Sequence, residues 1–194
     1  MNILHIDSSA LGGHSVSRQL TADIVAELRR VHPQASVRYH DLAEQPLPHW
    51  TPVADANDPA AVLGGEVLDA FLAADVVVVG APMYNFSVSS QLKAWIDRVL
   101  VAGKTFRYTA NGPEGLAGGK RVIVASSRGG FYGKEAPAAA MDFQEPYLRA
   151  AFGFIGIDTV EFVRAEGLAT GDEQKAAALA AARGAIQELT ALAA

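Results

Sequence analysis

Short apolar runs along this chain alternate with longer stretches in which the apolar positions recur every three or four residues. Ile3–Asp7, Val76–Gly80, Arg121–Ser126 and Thr159–Val163 predict strands. Val76–Gly80 shows no polar alternation, as expected of a strand covered on both faces. Ser36–Asp41 predicts a further strand, with Val37 and Tyr39 alternating against polar neighbours. Between the strands, Leu20, Ile24, Leu28 and Val31 mark one face of a helix from about Ser17 to Val31. Leu63, Val67, Phe71 and Ala74 mark a second helix. Leu92, Trp95, Ile96, Val99 and Leu100 mark a third, starting near Ser89. A helical region between Pro137 and Phe154 is expected to break at Pro146. The last helix starts near Asp172, read as its N-cap, and buries Leu179, Ala182, Ile186 and Leu189. Gln45–Pro59, with four prolines, reads as a surface loop, and Asn111–Gly115 as the turn of a hairpin within Thr105–Leu116.

Five strands separated by helices imply parallel pairing with right-handed crossovers. The expected fold is α/β, a flavodoxin-like doubly wound five-stranded parallel sheet of order 2-1-3-4-5 with helices on both faces. No repeat or linker divides the chain, so residues 1–194 read as a single domain. Ligands of such sheets sit past the carboxyl ends of the strands, where the order reverses. The loops that matter are those after Asp7, Gly80 and Ser126.

Composition narrows the chemistry. Half of the 194 residues are hydrophobic and 19% are charged, enough apolar material for a sizeable core. The net charge of -5, without a basic stripe, argues against a nucleic-acid partner. There is no cysteine, which excludes disulfides, thiolate catalysis and Cys-ligated metals. The histidines show no metal-ligand spacing. The N-terminus lacks a basic, long apolar leader and no apolar run approaches a membrane span, so a cytoplasmic protein without a membrane partner is expected.

The first loop runs Ser8-Ser9-Ala10-Leu11-Gly12-Gly13-His14-Ser15-Val16-Ser17 into a helix. Hydroxyls and free amides at a helix start form an anion site, here suited to a phosphate monoester held by Ser9, Ser15, Ser17 and backbone N–H groups. The dinucleotide fingerprint G-x-G-x-x-G is absent. Ser15 or Ser17 would equally serve as a plain helix cap. The second loop, Ala81-Pro82-Met83-Tyr84-Asn85-Phe86-Ser87, combines two aromatic faces with an amide, which suits a flat ring with polar edges. The third, Ser127-Arg128-Gly129-Gly130, permits close backbone approach to such a ring, although paired glycines also make ordinary turns. All three compositions fall at strand ends facing one crevice.

With these loops the chain resembles the FMN-dependent NADH azoreductase family of flavodoxin-like quinone oxidoreductases. The resemblance spans nearly the whole chain. It is carried by the first-loop serines, Ala81–Phe86 with Gln91-Leu92-Lys93, Thr105–Thr109 with Gly112–Leu116, Ser127–Gly130 and Gly153–Gly156. It implies that Ser9, Ser15, Val16 and Ser17 hold the FMN phosphate. It further implies that Met83, Tyr84, Asn85, Phe86, Ser127, Arg128, Gly129 and Gly130 hold the flavin ring. It implies a homodimer with sites at the subunit interface, where Phe106, Tyr108 and Phe154 are candidates for an aromatic wall around the substrate. The implied activity passes a hydride from NAD(P)H through FMN to quinones and azo compounds by a ping-pong route. Relative to the family pattern, His49–Ala60 is short and Phe131–Gln144 somewhat long. The competing reading is a flavodoxin-type one-electron carrier without nicotinamide-dependent turnover.

Overall fold

The structure is a computed structural model that describes residues 1–53 and 55–191. Ala54 of the proline-rich loop and residues 192–194 lie outside the described residues. Five strands form one parallel sheet: β1 (Asn2–Asp7), β2 (Ser36–Asp41), β3 (Val76–Pro82), β6 (Arg121–Ser127) and β7 (Val160–Ala165). Their order is β2-β1-β3-β6-β7. A separate antiparallel hairpin, β4 (Phe106–Thr109) with β5 (Gly112–Gly115), accounts for the numbering gap. Counted along the main sheet alone, this is the expected order 2-1-3-4-5. The helices are α1 (Val16–Val31), α2 (Pro59–Ala73), α3 (Ser90–Val99), α4 (Glu145–Phe154) and α5 (Asp172–Ala191).

Alternate residues of the central strands enter two separate cores. Leu4, Ile6, Val77, Val79, Val122 and Val124 pack with Phe71 of α2, Trp95 of α3 and Phe152 of α4. Ile3, Val76, Val78 and Ile123 pack with Leu20, Ile24 and Leu28 of α1 and Ala182 and Ile186 of α5. Every residue of β3 is buried, which explains its unbroken apolar sequence. The outermost strand β2 is different. Val37 and Tyr39 are exposed, so their alternation marks no buried face, and Arg38 and His40 make it a polar edge.

Several boundaries move for identifiable reasons. Pro59 is the first residue of α2 rather than loop, with the Asp58 carboxylate capping the Ala60 amide at 2.8 Å. Pro146 does not interrupt a helix. It lies in the first turn of α4, where a missing N–H is harmless, and only a short 3-10 turn, Ala139–Met141, precedes it. Asp172 is already the first helical residue of α5.

The hairpin is pinned by a close backbone approach. A Cβ on Gly115 would stand 2.1 Å from the Gly156 amide nitrogen, and Gly156 has a φ of +92°. Ala117 N–H donates to the Ile155 carbonyl at 2.9 Å beside it. The Gly112–Leu116 and Gly153–Gly156 motifs are thus two halves of one contact.

Candidate functional site at the carboxyl ends of the strands

β1 and β3 are neighbours, but the chain leaves β1 towards β2 and leaves β3 towards β6, which opens a crevice between their carboxyl ends. A cleft of about 240 Å³ lies there. Its walls include Ser9, Leu11, His14, Ser15 and Val16 from the first loop, and Pro82, Met83 and Tyr84 from the second. Ser127, Arg128 and Gly129 come from the third. The three loops therefore converge. Larger clefts occur beside β2 and between α2 and α3, away from these strand ends.

The first loop is shaped by its own hydroxyls. Ser8 Oγ donates to the Gly80 carbonyl at 2.7 Å, tying the loop to β3. Ser15 is the N-cap of α1, its Oγ accepting from Arg18 N–H at 3.3 Å and lying 3.1 Å from Ser17 Oγ. Ser15 thus fills the capping role expected of it. The amides of Val16 and Ser17 find no acceptor among the described residues, which leaves two donors at a helix N-terminus.

Below this loop lies a buried charge cluster that composition alone did not reveal. The Arg18 guanidinium donates to the Ser9 carbonyl through Nη2 at 2.9 Å and to Asp41 Oδ1 at 2.6 Å, with Nη1 also on Asp41. Hydrogen bonding from Arg18 is the main reason the Asp41 carboxyl is held down at about 2. The Ala43 and Glu44 amides add to this against the opposing effect of burial. Arg18 is raised by the same contact. Burial alone would push the Asp7 carboxyl up. Contacts with His5, Thr21 (2.8 Å) and Tyr39 (3.1 Å) outweigh it and hold the group below its ordinary value.

The second loop crosses to the first through Tyr84, whose hydroxyl lies 3.1 Å from Ser9 Oγ and accepts from Ala10 N–H at 3.1 Å. Asn85 and Phe86 have φ of 47° and 72°, and Tyr84 and Ser87 exchange both backbone hydrogen bonds around them. This is a two-residue turn with both central residues left-handed, a conformation uncommon for phenylalanine. Asn85 and Phe86 are exposed and do not line the cleft. Phe86 instead packs edge-on with Tyr132 at 6.2 Å.

In the third loop the Arg128 side chain is only 1% exposed. It is held by Glu145 at 2.7 Å, Asp142 at 3.0 Å and Glu166 at 3.1 Å, and Arg164 binds Glu145 from the other side at 2.6 Å. Its guanidinium thus fixes the loop rather than projecting into the cleft. A Cβ on Gly129 would meet only Ala169 Cβ, at 3.5 Å, so nothing inside the chain demands glycine there. Gly130 faces the Tyr132 ring and does not line the cleft.

Phe106, Tyr108 and Phe154 form one aromatic cluster, with Phe106 4.7 Å from Phe154 and 5.6 Å from Tyr108 between ring centroids. It is not part of this cleft. Phe106 is buried, Phe154 half-buried, and Tyr108 is 75% exposed. A fourth wall was missed from sequence: Leu168 and Ala169 after β7, and Lys175 of α5. Leu168 N–H donates to the Arg128 carbonyl at 3.1 Å and Ala169 N–H to that of Gly129 at 3.0 Å. The flanking Gly167 and Gly171 were the available signal.

A family model described as "Flavodoxin-like fold" matches residues 1–190. An FMN-dependent NADH:quinone oxidoreductase of Sinorhizobium fredii is 60% identical over 97% of this chain and 96% of its own length. One of Methylocella silvestris is 58% identical over 98% and 100%. The chain belongs to this family of flavodoxin-like FMN-dependent NADH:quinone oxidoreductases. Among solved structures, an azoreductase from Bacillus anthracis superposes with a TM-score of 0.89 at 27% identity, covering 98% of both chains. The flavodoxin-like fold and the five-stranded parallel sheet are thus those of the family. No helix among the described residues is long and apolar enough to cross a membrane.

Proposed function

We propose that this chain is an FMN-dependent oxidoreductase that takes a hydride from NADH or NADPH and reduces quinones and azo compounds. The observation that carries the reading is the convergence of the serine loop, the Met83–Tyr84 loop and the Ser127–Gly129 loop on one cleft. High identity to quinone oxidoreductases named as FMN-dependent supports the same conclusion.

The donor set fits the cofactor. A phosphate monoester needs several donors at once, and Ser9, Ser15 and the free Val16 amide meet that need at the cleft wall, with the Ser17 hydroxyl buried behind Ser15. Asn85, Phe86 and Gly130 lie outside the cleft, so Met83 and Tyr84 with Ser127, Arg128 and Gly129 would border the ring. Of these, Arg128 acts through its backbone and its anchoring network. When bound, FMN supplies reversible hydride acceptance and donation, the chemistry no side chain here can perform. The protein's part is to orient the ring and leave one face free for flat partners. Two substrates using one stacking position in turn give ping-pong kinetics.

The 194 residues act as one doubly wound domain in this reading, and the protein as a cytoplasmic homodimer. Exposed Tyr108 and its neighbours Phe106 and Phe154 lie outside the cleft of their own chain, so they serve as a substrate wall only with a second copy. Anaerobic stopped-flow mixing tests the activity. Each nucleotide should bleach the bound flavin in a single two-electron step, and a quinone or azo dye should restore its colour. Absence of bleaching by either nucleotide would favour a one-electron carrier. Sedimentation at assay concentration tests the dimer, and a fully active monomer would refute it.

A further inference from the structure

We propose that Lys175 is the counter-charge for the phosphate of the bound cofactor, an inference that rests on the FMN reading above. Among the described residues three basic side chains line the cleft, His14, Arg128 and Lys175, and no carboxylate does. Arg128 is engaged by Asp142, Glu145 and Glu166. Arg18, directly beneath the loop, is engaged by Asp41 and the Ser9 carbonyl. Lys175 makes no ion pair among the described residues, and its side chain is exposed at the cleft wall.

Besides His14, the serine loop contributes only neutral donors and a helix terminus. A phosphate monoester carries a charge of about -1.5 to -2 near neutral pH, and a helix terminus offsets only part of it. A lysine ammonium, a compact charge on a flexible stem, can reach a phosphate without a fixed geometry. The phosphate rather than the neutral ring is the group that calls for this charge. α5 packs beside α1 on one face of the sheet, and Arg183 of α5 pairs with Asp23 of α1 at 3.1 Å. Lys175, near the start of α5, lines the same cleft as Ser15 and Val16. In the sequence it is one lysine at the start of an alanine-rich helix, indistinguishable from a solvated one.

The same ammonium would also suit the phosphates of an incoming nicotinamide nucleotide, and the experiment separates the two sources. FMN and riboflavin are titrated by flavin fluorescence against wild type, Lys175→Met and Lys175→Arg, with NADH KM measured at saturating FMN. We expect Lys175→Met to weaken FMN about 5- to 20-fold, as for loss of one partly solvated charge-assisted contact. Riboflavin affinity should stay unchanged, Lys175→Arg should recover most of the loss, and the Met effect should shrink at high salt. Unchanged FMN affinity in Lys175→Met overturns the inference while leaving the FMN reading intact. A raised NADH KM with unchanged FMN affinity overturns it in favour of the nucleotide. Equal wild-type affinity for FMN and riboflavin would overturn the phosphate site itself, and this inference with it.

Discussion

Arg18→Ala should remove the tie that holds the first loop to the edge of the sheet, and its cost can be worked from the Asp41 carboxyl. That group is held at about 2 against an ordinary 3.8. The gap corresponds to about 2 kcal/mol of stability. The Ala43 and Glu44 amides supply part of this, while removing the arginine leaves the buried Asp41 carboxylate without its guanidinium partner and frees the Ser9 carbonyl, so a total of about 2–4 kcal/mol is expected near pH 7. Because folding depresses the carboxyl, its contribution is complete above about pH 4 and disappears as the pH falls from about 4 to about 2. The deficit of the variant should therefore be largest at neutral pH and shrink on acidification. Urea denaturation of both proteins without added flavin, followed by circular dichroism from neutral pH down to about pH 3, reads it directly. A melting temperature lower by about 5–12 °C at neutral pH is the corresponding thermal signal. A deficit below about 0.5 kcal/mol, or one that stays constant down to about pH 3, would refute this reasoning.

Gly115→Ala should destabilise the protein by several degrees and displace the hairpin, because the new methyl would meet the Gly156 backbone at 2.1 Å; a melting temperature within about 1 °C of wild type would contradict this. Gly129→Val should leave unliganded stability nearly unchanged, since its Cβ meets only Ala169 at 3.5 Å, yet weaken FMN more than about tenfold. Fluorescence titration with unaltered affinity would show that Gly129 stands clear of the ring. Tyr84→Phe removes the hydroxyl shared by Ser9 and Ala10, for an expected loss of about 0.5–1.5 kcal/mol, seen as an FMN affinity reduced by up to about tenfold. Full retention of affinity would mean that this bridge does not set the loop.

The alternation of elements and the strand order were legible because the physics behind them is local. An all-apolar run such as Val76–Val79 is stable only with both faces covered, and parallel neighbours need crossovers. The three loops followed from topology, since their compositions lie at strand ends wherever the intervening helices pack. Proline was misread at Pro59 and Pro146, because whether it breaks or begins a helix depends on which residue caps the turn before it.

Other features depend on residues far apart in the chain, and no pattern along it encodes them. Arg18 reaches Asp41 and Ser9 only once β2 lies beside β1, and Arg128 meets Glu145 and Glu166 only once α4 and β7 are in place. Gly115 and Gly156 are each an unremarkable glycine until the hairpin folds onto the end of α4. Phe86 adopts left-handed backbone that phenylalanine does not favour, because the turn closes between elements fixed elsewhere. Lys175 gains meaning from a cleft that brings the start of α5 to the loops after β1, β3 and β6. The sequence determined which backbone elements form and where their loops emerge. Tertiary packing decided which charges are buried together and which donors remain free, because pairing energies depend on distance in space.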